Sequence, residues 1–184
     1  MRILLLSGTF LLAAAPMEAA AQSAPGAAPS APRASGEMAD MAVPTAALPF
    51  LTQAGASDLY EIQSSQLALT KARSASVRAF AQQMIDDHRA TTQKLAQAAT
   101  GAGLVAPTPA LLPDQVAMLA QLRDAPAGGF DALYLDQQRT AHRRALALHR
   151  GYAARGDTPA LQRVAAAAAP IVERHLQHVD KLAR

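Results

Sequence analysis

The chain has 184 residues, of which 51% are apolar and only 4% aromatic, with no Cys and no Trp. That length suits one domain with its own core, and the missing cysteines exclude disulfides, thiolate metal sites, Cys nucleophiles and a lipid anchor on Cys. The formal charge of +3 is carried by cations mixed among acids and amides, and without a basic block it gives no footprint for nucleic acid.

The N-terminal segment reads as a secretory signal peptide over residues 1–21. Arg2 is a positive n-region, residues 3–15 form an apolar run, and Ala19 to Ala21 offer small residues before a mature start at Gln22. The run is shorter than the ~20 residues of a comfortable membrane span, so the expected location is the periplasm; the competing reading is an uncleaved anchor. No later stretch reads as a span, because each long apolar stretch carries charges or amides. Residues 22–48 are Ala, Pro, Ser and Gly with few large apolar side chains. Such a segment cannot bury enough surface to offset its ordering entropy, and it is expected to be a flexible tether ahead of a domain over residues 49–184.

The domain reads as all-α, since no sustained alternating run of β-branched and aromatic residues occurs and Ala with Leu favours helix. Four long helices are expected, over residues 49–73, 75–100, 130–155 and 159–182. Ser74 is the expected N-cap of the second. Gly101 and Gly103 should stop that helix, and Pro107, Pro109 and Pro113 keep the next stretch irregular before a short helix over 113–123. Gly156 should end the third long helix, with Thr158 capping the fourth and Pro159 opening it. The two short turns make each flanking pair antiparallel. The long central connection permits a crossover, so the expectation is a ferritin-like four-helix bundle of two hairpins, with a simple up-down bundle as the alternative.

Helical periodicity places several polar groups on otherwise apolar or small-residue seams: Glu61, His88, His142 and His175. Counted from each hairpin turn at ~1.5 Å per residue, Glu61 and His88 fall at nearly one height, and His142 lies within about one turn of Glu173 and His175. These four residues are the candidate ligands of a single divalent ion, since imidazole and carboxylate suit zinc, copper, nickel or iron. The alternative is a hydrogen-bonded polar cluster with no ion. Asp86 and Asp87 are expected near the solvent face, His149 and His178 at the surface, and Tyr60 and Tyr134 in the core with a polar tip. No Gly-x-Ser-x-Gly elbow, phosphate-cradling loop or dinucleotide fingerprint occurs, so no catalytic residue is assigned.

From Phe50 to Leu182 the sequence resembles the bacterial envelope family known as domain of unknown function 4142. The resemblance is carried by Glu61 with Leu67-Ala68, Val77-Arg78-Ala79-Phe80-Ala81, Met84-Ile85-Asp86-Asp87-His88, Phe130-Asp131-x-x-Tyr134, His142, and Pro170 followed by Glu173-Arg174-His175-Leu176. It implies an exported ferritin-like bundle with no settled activity. Di-iron ferritin-like sites pair Glu-x-x-His on two helices with Glu on the other two. Here Ile85 and Val172 stand three before His88 and His175, and His142 stands where a carboxylate would. This disfavours a two-iron centre, and if metal binds, one ion with histidine-rich ligation is the better expectation. The expected role is a non-catalytic interaction or stress-related protein with an unidentified envelope partner, the alternative a single-metal protein, and the remaining reading a bundle that opens on lipid.

Overall fold

The computed structural model describes residues 43–184. The signal segment and most of the tether expected ahead of the domain lie outside the described residues. Among the described residues there are five helices: α1 (Ala47–Lys71), α2 (Ala75–Gly101), α3 (Pro113–Asp124), α4 (Phe130–Arg155) and α5 (Pro159–Leu182). There is no strand among the described residues, and no described helix is long and apolar enough to cross a membrane.

The helix ends follow local chemistry. Ser74 accepts from the backbone of Val77, and Asp131 at the start of α4 accepts from the backbone N–H groups of Arg73 and Ser74 at 3.0 and 2.9 Å. One carboxylate thus serves its own helix dipole and ties the α1–α2 turn to α4. Gly101 is the last residue of α2, and Gly103, at φ 72°, is the one that terminates it. Gly103 N–H bonds Thr100 O and Leu104 N–H bonds Ala99 O, the paired closure that demands a left-handed residue. α1 starts two residues earlier than expected, and Asp157 explains why: its side chain accepts from Ala47 N–H and its own N–H bonds Thr45 O. Thr158 does not cap α5 as expected; its hydroxyl donates to Asp157 instead. Pro170 lies inside α5. Its ring and Ala166, whose carbonyl it leaves unpaired, are both exposed, so water can satisfy the freed oxygen.

α1 packs on α2 and α4, and α5 packs on the same two helices. Along α1 and α4 the contacts run in opposite order: Phe50 stacks on Tyr152, Tyr60 donates to Gln137, and Ser65 bonds Tyr134. Along α2 and α5, Phe80 meets His178 and Asp87 meets His175. α1 is therefore antiparallel to α2 and α4, which makes α2 and α4 parallel to each other. The connection between them must travel the length of the helices, and α3 lies along it, held at its C-terminal end by Lys71 Nζ on the carbonyls of Leu122 and Arg123.

The apolar interior forms two clusters. One gathers Tyr60, Phe80, Met84, Leu119, Leu122, Phe130 and Tyr134; the other gathers Phe50, Leu51, Leu95, Leu148, Tyr152 and Leu161. Tyr60 and Tyr134 are core aromatics with bonded hydroxyls, as expected. Gly156 acts here through space rather than through its backbone angle, which is an ordinary extended φ of −62°. A Cβ at this position would sit 2.5 Å from the Tyr152 ring, which is itself pressed against Phe50 at 3.9 Å. Gly156→Ala should therefore destabilise the domain by about 1–3 kcal/mol through overpacking, read as a lower urea midpoint at unchanged m-value.

Candidate metal centre

Between the two apolar clusters lies a polar layer drawn from all four long helices. Glu61 on α1, His88 on α2, His142 on α4 and His175 on α5 are all at most 4% exposed. The three imidazoles form a triangle, with ring centroids 5.8 Å apart for His88–His142, 5.9 Å for His88–His175 and 5.5 Å for His142–His175. Each ring offers one nitrogen to a common point, and the three nitrogens lie within 4.8 Å of one another.

The other nitrogen of each ring is held from outside the triangle. His88 Nδ1 meets Asp58 Oδ1 at 2.8 Å, His142 Nδ1 meets the carbonyl of Gln138 at 2.8 Å, and His175 Nε2 meets Asp87 Oδ2 at 2.9 Å. A carbonyl or carboxylate can only accept, so each of these nitrogens carries the hydrogen. In the neutral rings, the form that a metal takes in exchange for any proton on His88, the lone pairs sit on His88 Nε2, His142 Nε2 and His175 Nδ1, and those three buried atoms have no hydrogen-bond partner among the described residues. An unpaired buried polar atom costs ~1–3 kcal/mol, so three of them converging in one place call for a shared electron-pair acceptor. A carboxylate or carbonyl behind each imidazole is also the arrangement that fixes tautomer and orientation for metal ligation.

Glu61 stands outside the triad. Its Oε1 is 3.5 Å from His142 Nδ1, the nitrogen already engaged by Gln138, and its Oε2 has no partner. Burial pushes the Glu61 carboxyl up to about 7, against the pull of His88. Burial, with repulsion from His88, depresses His142 to about 3 and His175 to about 4. For His88 burial also works against the charged form, but Asp58, Glu61 and Asp87 outweigh it and hold the ring above the ordinary imidazole value. The field of these three carboxylates at the layer favours one added positive charge.

Of the four residues singled out in the sequence, the structure thus brings three together and sets Glu61 behind one of them. Asp58 was missed. It sits three residues before Glu61, on the same helix face, and is 3% exposed. A second acid on that seam was the available signal. Asp86 is exposed as expected, whereas Asp87 is only half-exposed and reaches across to α5. Glu173, level with the site by counting, faces outward and pairs with Arg150 at 2.9 Å.

His149 overturns the surface expectation: it is 3% exposed, edge-on to Phe50, with Nδ1 unpaired. The expected surface His178 is half-buried against Phe80. Burial lowers His149 to about 4; Asp58 on α1 opposes this and His88 on α2 adds to it. A depressed folded value means that the native state resists protonation. The stabilisation is complete above the ordinary 6.5 and is lost as pH falls toward about 4, a loss on the order of 3 kcal/mol. Urea unfolding under chelator at neutral pH and at acid pH should show that extra loss in the wild type and not in His149→Leu.

A match to the family described as Domain of unknown function (DUF4142) spans residues 30–182, and the chain belongs to that family. No curated protein and no solved structure matches it.

Proposed function

We propose that this protein is an exported, periplasmic ferritin-like bundle that holds one divalent transition-metal ion on His88, His142 and His175. The observation that carries the reading is the convergence of three buried imidazole lone pairs, each oriented from behind and none otherwise paired among the described residues. A three-histidine set suits zinc, copper, nickel or iron and leaves a coordination position for a fourth ligand. Bonds of about 2.0–2.1 Å put ligand nitrogens about 3.4 Å apart, so from separations within 4.8 Å the triad closes by up to about 1.4 Å when it binds. The ferritin-like reading is supported by parallel α2 and α4 joined by a length-spanning connection, which is the crossover bundle rather than the up-down one. Export is supported by the signal-type pattern of residues 1–21. The role read from this site is metal holding.

The test is metal content and stability of the mature protein, purified without a histidine tag. One ion per chain is expected, removable by chelator, with thermal stability falling on removal and returning with zinc, copper, nickel or iron. Absence of bound metal together with an unchanged melting temperature on titration would return the site to a buried polar cluster and the protein to a non-catalytic interaction bundle.

A further inference from the structure

Away from the metal layer, the seam between α2 and α5 is not closed. A groove of about 530 Å³ runs between the helices, from Thr91 and Ile171 to Ala98 and Ala160, about 10 Å along α2 and about 16 Å along α5. Its cause is in the sequence: Ala98, Ala160, Ala167 and Ala168 stand where larger residues would fill the seam, and Val164 and Ile171 are the larger apolar side chains that line it. Two cations flank it, Lys94 on the α2 wall and Arg163 on the α5 wall. Both are exposed, and neither makes an ion pair among the described residues, whereas arginines of the neighbouring α4, such as Arg139, Arg144 and Arg150, do. Volume, apolar lining and a few polar groups at the rim are the features of a small-ligand site.

We infer that the α2–α5 groove binds an anionic amphiphile of the fatty-acid type, its acyl chain lying on Val164, Ala168 and Ile171 and its carboxylate between Lys94 and Arg163. The apolar floor rewards a hydrocarbon chain. Two unpaired cations on opposite walls select a negative head and disfavour a neutral one. The inference does not depend on metal binding at the histidines, and it is tested with and without chelator so that the two readings fail separately.

A fluorescent polyene fatty acid titrated into the full mature protein is the probe. Saturable one-to-one binding is expected, displaced by saturated fatty acids and not by acetate. Reversing both cations, Lys94→Glu with Arg163→Glu, should weaken the acid by about tenfold or more, about 1.4 kcal/mol per decade, while leaving the matching alcohol unaffected. Ala167→Phe, at an exposed position in the groove, should abolish binding of both, and Ala120→Phe on the exposed face of α3 should change neither. The inference is overturned by non-saturable uptake, by displacement with acetate alone, or by affinity that survives either groove variant.

Discussion

His142→Ala should abolish the metal-dependent part of the protein's stability. With free metal at a hundredfold excess over Kd, the wild type should gain about 2.7 kcal/mol, a rise in Tm on the order of 5–10 °C for a domain of this size. The variant keeps two imidazoles on α2 and α5 but loses the α4 corner of the triangle, and its gain should fall to within error of zero. The quantity to measure is the difference between metal-loaded and chelated Tm in each protein. His142 is 1% exposed, and the cavity left by its removal cancels in that difference. Glu61→Gln is the matched control. Its carboxyl lies beside the engaged nitrogen of His142 and not in the triad, so one ion per chain should remain. A variant lacking His142 that still bound one ion with wild-type stabilisation would remove the triad from consideration.

Much of this architecture was legible because helix boundaries depend on local chemistry. Ser74, Gly103 and Pro159 act within a few residues of themselves, and α4 and α5 fall where the periodicity puts them. The level of each pair was legible for the same reason: a fixed rise per residue and a short turn put Glu61 near the height of His88 and His142 near that of His175, whereas the sharing of one layer by the two pairs depends on the crossover, which counting does not fix. What was not legible depends on rotation about helix axes and on partners far along the chain. Asp58 and His88 are 30 residues apart, and Asp87 and His175 are 88 apart; which ring nitrogen each acid holds cannot be counted from a seam. His149 looked like a surface residue because it lies near a helix end. Phe50, from the start of α1, covers it, and that cover depends on the antiparallel pairing of α1 with α4.

Asp58 carries the second large prediction, because it serves two donors at once. Oδ1 receives His88 Nδ1–H and Oδ2 receives the Thr92 hydroxyl. Asp58→Ala leaves the buried His88 Nδ1–H without an acceptor, while the Thr92 hydroxyl falls back on the His88 carbonyl, and it breaks a buried charged pair, which costs about 3–5 kcal/mol. It also frees the His88 ring to rotate, which should cost about 10–100-fold in metal affinity. Asp58→Asn separates these effects. Its carbonyl oxygen can still accept from His88, and its amide can donate to Thr92 Oγ1, whose own hydrogen has an alternative acceptor in the His88 carbonyl at 3.0 Å. Stability in the Asn variant should stay close to wild type, while metal affinity falls, because the orientation survives and the negative charge behind the imidazole does not. Equal metal affinity in wild type, Asn and Ala variants, measured by competition with a chelator of known strength, would mean that the acid on α1 does not position His88 and that the ring is held by packing alone.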